Sequence, residues 1–102
     1  MTHVIVWEFV VRAGREREFE EAYGATGAWA TLFSKSTEHL GVELLRDTAI
    51  AGRYLTIDRW NSADAFGRLR KARSDEYASL VARCEGLIET ERKIGVCSGI
   101  SR

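Results

Sequence analysis

His3-Val-Ile-Val-Trp-Glu-Phe-Val-Val11 is the stretch that decides how this chain folds. It is rich in β-branched and aromatic residues, the composition of a strand. Strand alternation puts His3, Ile5, Trp7, Phe9 and Val11 on one face and Val4, Val6, Glu8 and Val10 on the other. Both sets are apolar apart from Glu8. A strand with one solvated face alternates apolar with polar residues, so this one requires cover on both sides. A single layer of helices covers only one of them.

Working outward, Arg12-Ala13-Gly14 turns the chain. A helix is expected from about Arg15, with Phe19, Ala22 and Tyr23 on one face. Gly24 and Gly27 interrupt it, because a glycine inside a helix costs about 1 kcal/mol relative to alanine. A second short helix then carries Trp29, Leu32 and Phe33, and residues 34–38 read as a loop. Residues 39–47 form the second strand, 48–52 a hairpin connection, and 53–60 the third strand. The third strand divides into Tyr54, Thr56, Asp58, Trp60 and Arg53, Leu55, Ile57, Arg59. Ser62 is the expected N-cap of a helix holding Phe66 and Leu69 and ending in the basic run 68–73. Ser74 is expected to cap another helix, whose apolar stripe is Tyr77, Leu80, Val81, Cys84 and Leu87. Gly86 is its expected C-cap. A last strand over 88–96 places Ile88, Ile94 and Val96 on one face. The order β-α-β-β-α-β is the split βαβ, or ferredoxin-like, arrangement: an α+β fold with a four-stranded antiparallel sheet.

With 102 residues, 45% of them hydrophobic and 29% charged, the chain reads as one domain over residues 1–102. A domain of this size buries roughly 60–70% of its unfolded surface, so it gains from a partner. A homodimer closing two open sheet faces against each other is the simplest cover. Glu8, Arg46 and Asp58 would then need partners, since unpaired buried charge is costly. Fifteen basic residues against fifteen acidic ones leave no net charge, which argues against nucleic acid as a partner. No apolar run reaches the ~18 residues of a membrane span. The start has no secretory pattern, and the expectation is a cytoplasmic protein. Cys84 and Cys97 are far apart and read as reduced thiols. With only His3 and His39 as imidazoles, no metal site is expected.

Read together, Trp7-Glu8-Phe9-Val10-Val11-Arg12-Ala13-Gly14, Tyr23-Gly24, Leu32-Phe33, Gly41 to Asp47, Tyr54 to Trp60 and Ala65-Phe66 resemble the antibiotic biosynthesis monooxygenase domain, a dimeric α+β barrel family. The resemblance covers nearly the whole chain. It implies a monooxygenase that needs no cofactor and acts on a small aromatic phenol or quinol held between sheet and helices. No flavin fingerprint is present. The pocket walls it implies are Trp7, Phe9, Tyr23, Trp29, Phe33 and Phe66. Trp29 and Phe33 follow two glycines, which suits either an entrance or plain packing. The polar groups it implies for catalysis are His39 and Arg68. Tyr54 and Asp58 rank behind them, because strand parity could turn both toward a partner subunit. Haem-degrading relatives use an Asn on the first strand, a Trp after the third and an iron-ligating His. Those positions fall on Trp7, on Arg68 and near Val81, so that chemistry is not expected. The alternatives are a dimeric barrel that binds a small apolar ligand without turnover, and an orphan structural dimer whose pocket is filled by its own side chains.

Overall fold

The computed structural model describes residues 2–100. Strand β1, His3–Val11, pairs antiparallel with both β3, Arg53–Trp60, and β4, Ile88–Ser98. Strand β2, His39–Arg46, pairs antiparallel with β3, giving the order β2-β3-β1-β4. Helices α1, Glu16–Tyr23, and α2, Ala28–Phe33, connect β1 to β2; α3, Ala65–Ala72, and α4, Ser74–Cys84, connect β3 to β4. This is the ferredoxin-like α+β fold.

The two sets of β1 residues separate as alternation requires. Ile5, Phe9 and Val11 are buried beneath the helices, and Trp7 packs against the same core. Tyr54, Thr56, Asp58 and Trp60 of β3 point the same way and are all buried. Bulky rings fill the space between layers, and the valines form the opposite, flatter face. Phe19 of α1 is fully buried, with ring centroids 5.2 Å from Phe9, 4.3 Å from Tyr23 and 4.8 Å from Tyr54. Leu69, Leu80, Cys84 and Leu87 complete the core beneath the helices. Cys84 is therefore a small buried hydrophobe, while Cys97 is exposed, and both thiols are free.

Gly14 takes a left-handed φ of 85°, as the turn after β1 needs. Gly27 is required for a different reason. A Cβ there would lie 2.3 Å from the Glu21 carbonyl oxygen, so only glycine lets α2 start so close to α1. That close approach brings Trp29 and Phe33 over the sheet.

Four local expectations are corrected. Ser62 does not cap α3; Asp64 holds that position, and the Ser62 hydroxyl accepts a hydrogen bond from Arg68 at 3.0 Å instead. Ser74 is the first residue of α4, with Arg73 at the N-cap. Gly86 lies within a single 3-10 turn, Glu85–Leu87, that prolongs α4, and it has no left-handed backbone. In β4, register shifts opposite Val6/Trp7 and Val10/Val11 break the simple alternation, and Ile94 falls at the first of them.

The open face of the sheet carries Val4, Val6 and Val10 with Leu55 and Ile57. Glu8 at its centre is met within its own chain: Arg53 lies 2.7 Å away and Arg92 2.9 Å away. Those two guanidiniums hold its carboxyl below the usual carboxylate range. Arg46 likewise finds Glu20 at 2.6 Å. Of the three charges expected to need a partner subunit, only Asp58 stays unpaired among the described residues, and it faces the helices instead.

Candidate active site

Between the helix-side face of the sheet and the helices lies a cavity of about 300 Å³. Its floor comes from the strands, through Trp7, Phe9, Val42, Thr56 and Asp58. Its walls come from Tyr23, Trp29, Phe33, Phe66 and Tyr77, and from Val81 and Ile88 beside Glu85, Glu89 and Glu91. All six aromatic residues that the sequence proposes as pocket walls are among them. Trp29 and Phe33 are buried members of a continuous ring cluster, with centroids 5.8 Å apart and Trp29 edge-on to Tyr77 at 5.2 Å.

His39 and Arg68 are not brought to the cavity. The His39 ring packs behind its wall, 5.4 Å from Phe33 and 4.7 Å from Trp60, and burial pushes its pKa down. Arg68 lies on the surface. It donates to Glu38 from Nη2 at 2.5 Å and from Nε at 3.0 Å, a bidentate pair that holds the guanidinium away from the cavity.

Asp58, ranked behind His39 and Arg68 in the sequence, is the polar group of the three that lines the cavity. It sits on a central strand between Thr56 and Trp60, opposite Ile5 and Val42. It is 6% exposed, and its carboxylate accepts no side-chain or turn hydrogen bond among the described residues. Desolvation alone pushes its pKa up to about 7. Tyr54, two residues earlier on the same face, contrasts with it. Its hydroxyl donates to Glu20 at 2.5 Å and is already satisfied. Tyr77 faces Asp58 from α4, and burial raises its hydroxyl pKa, with Arg70 opposing the rise. Burial also raises the Tyr23 hydroxyl and the Glu91 carboxyl. A buried carboxyl titrating near neutrality, set among aromatic rings, is equipped to accept a proton from a ligand hydroxyl. Among the described residues, no group of three or more His, Cys, Asp or Glu is placed to hold a metal ion.

The antibiotic biosynthesis monooxygenase pattern matches residues 2–82, which include every strand and helix that builds the cavity floor. The chain belongs to the antibiotic biosynthesis monooxygenase family. Solved structures agree with that family's fold. SnoaB, a cofactor-independent oxygenase from Streptomyces nogalater, is 21% identical, with a TM-score of 0.71 over 99% of this chain and 95% of that one. A proposed antibiotic biosynthesis monooxygenase from Bordetella bronchiseptica is 23% identical, with a TM-score of 0.74 over 98% of each chain. A comparison with curated proteins finds no match. No helix of the described residues is long and apolar enough to cross a membrane.

Proposed function

We propose that this family member is a cofactor-independent monooxygenase acting on a small aromatic phenol or quinol in the cavity between sheet and helices. The observation that carries this reading is Asp58, a buried carboxyl with no side-chain partner among the described residues, at the floor of a chamber walled by aromatic rings. A phenol seated there stacks on the rings and points its hydroxyl at the carboxylate. Asp58 takes the proton and becomes neutral, so no like charge remains beside the new phenolate. The electron-rich ring then reacts with dioxygen. One oxygen atom replaces a ring hydrogen as a carbonyl and the other leaves as water, so phenol plus O₂ gives quinone plus H₂O. The substrate supplies all the electrons, and the protein supplies binding, a dry site and the proton acceptor. His39 and Arg68 act here at most from outside the cavity. Membership of the family and the oxygenase activity of the structurally similar SnoaB support the reaction class. A self-filled pocket would leave no volume of this kind.

Purified protein is expected to consume oxygen with one- or two-ring phenol- or quinol-type compounds without added flavin or metal, measured at an oxygen electrode. Silence across a broad panel, with the same compounds raising the melting temperature, would instead favour a binding module.

The working unit in this reading is a homodimer joined through the open sheet face. Burying a valine, leucine or isoleucine contributes about 1.5–3 kcal/mol, and Val4, Val6, Val10, Leu55 and Ile57 share that face. Glu8 is already neutralised by Arg53 and Arg92, so closing the face strands no charge at its centre. Sedimentation is expected to give a dimer at micromolar concentration, and Ile57→Asp, which adds an unpaired charge, to give monomer. A well-folded single protomer for the unaltered chain would count against the pairing.

A further inference from the structure

The cavity carries a charge pattern that the oxidation itself does not use. Four carboxylates line it, those of Asp58, Glu85, Glu89 and Glu91, and among the described residues no Lys, Arg or His does. They are graded by depth: Asp58 is buried at the floor, and the three glutamates are exposed along the 3-10 turn and the start of β4, at the mouth. Of the eight glutamates elsewhere, six are taken, while Glu16 and Glu21 hold no arginine or lysine among the described residues. Glu8, Glu18, Glu20, Glu38, Glu43 and Glu76 each hold an arginine or lysine. The three at the mouth have no such partner among the described residues, and desolvation raises the Glu91 carboxyl.

Two cations lie over lining rings without lining the cavity themselves. The Arg70 guanidinium lies 4.8 Å from the Tyr77 centroid and 5.6 Å from that of Phe66, and Lys93 Nζ lies 5.4 Å from Trp7. Wall rings of this cavity thus already attract positive charge to their faces. A volume of about 300 Å³ is at the small end for ligand sites and suits one or two fused rings.

Resting on the phenol-oxidising reading above, we infer that the substrate is a one- or two-ring phenol bearing a protonated amine, with its hydroxyl at Asp58 and its ammonium among Glu85, Glu89 and Glu91. A carboxylate in place of the amine would meet three like charges at the mouth and a fourth below. A neutral tail would leave the glutamates unpaired.

The test is calorimetric titration of the full chain with three probes that share one ring: 4-(2-aminoethyl)phenol, 4-ethylphenol and 3-(4-hydroxyphenyl)propionate. The amine is expected to bind about tenfold more tightly than 4-ethylphenol, the sum of several partly exposed charge contacts, with the propionate weakest. Added salt narrows the gap. The triple variant Glu85→Gln, Glu89→Gln, Glu91→Gln brings the amine down to the level of 4-ethylphenol. The inference is overturned if 4-ethylphenol or the propionate matches the amine, if the advantage survives in the triple variant, or if none of the three binds. Oxygen uptake separates the two readings: turnover of uncharged phenols without amine preference sinks only this inference, and amine preference without any turnover sinks only the oxidation.

Discussion

Asp58→Asn is expected to lower kcat on a phenolic substrate by about 10²–10⁴-fold, the usual contribution of a positioned proton acceptor. The amide keeps the shape of the floor and the aromatic walls, so ligand affinity should fall far less than turnover. In the unaltered enzyme kcat/KM should rise with pH through a limb near 7, where Asp58 becomes the carboxylate. The groups facing it are Tyr77 from α4, with Arg70 against the Tyr77 ring, and Glu91 from β4. Burial pushes the Tyr77 hydroxyl up, so it stays neutral across this range. Glu91, with a raised pKa of its own, is the residue whose titration has to be separated, and Glu91→Gln should leave the limb in place. A variant at Asp58 that keeps both the rate and the limb would show that the proton goes elsewhere.

The same substitution should alter stability in the opposite sense. Asp58 has an ordinary pKa of 3.8 in the unfolded chain and one of about 7 in the folded protein. Between those values the unfolded chain has released a proton that the folded protein retains, so stability falls as pH rises across the interval. Above it both forms are ionised and the penalty is constant; below it both are neutral and the penalty is absent. The displacement corresponds to on the order of 4 kcal/mol at its full extent. Asn at this site carries its own cost, about 1–3 kcal/mol for a buried amide lacking partners, but that cost does not vary with pH. The readout is therefore the difference in melting temperature between variant and parent, which should grow in favour of Asn from about pH 4 to about pH 7 and then level off. A flat difference would mean that Asp58 is not the buried titrating group.

Much of this site is legible in the sequence, and what is not has definite causes. Alternation sorts β1 and β3 into the correct sets, and helical spacing finds Phe19, Tyr23, Trp29 and Phe33. These patterns group Trp7 with Phe9, and Tyr23 and Trp29 with their helix faces; that they, Phe33 and Phe66 wall a pocket is what the family resemblance implied. Parity does not say which set faces the helices, and for that reason Asp58 ranked behind His39 and Arg68, which the fold leaves outside the cavity. The sorting could have been decided by size: the set with Trp60 and Tyr54 needs the deep space under helices, and Asp58 travels with it. Arg68 lies outside the cavity for a reason that is not local. Its partner Glu38 is 30 positions away, on the loop before β2, and only the tertiary fold brings them together. The glutamates at the mouth were hidden in the same way, because β4 reaches the cavity only by pairing beside β1.

Phe19→Ala is expected to be the most destabilising single change near the site. The ring is fully buried and contacts Phe9, Tyr23 and Tyr54 at centroid distances of 4.3–5.2 Å. Its truncation removes apolar burial and leaves a cavity that rigid neighbours close only in part, a loss of about 3–5 kcal/mol. A domain of this kind has about 5–15 kcal/mol in total, and each kcal/mol moves the melting temperature of a chain near this size by about 4–8 °C. A fall of more than about 12 °C in a thermal melt follows from those magnitudes. The effect should extend to the cavity, since Phe9 and Tyr23 line it and rest on Phe19. With that support gone, the two rings gain freedom to enter the space left behind, and an aromatic probe should bind more weakly even at temperatures where the variant is folded. A fall of only a few degrees with unchanged probe affinity would mean that the ring cluster does not brace the wall, and that the cavity keeps its shape through α2 and the sheet alone.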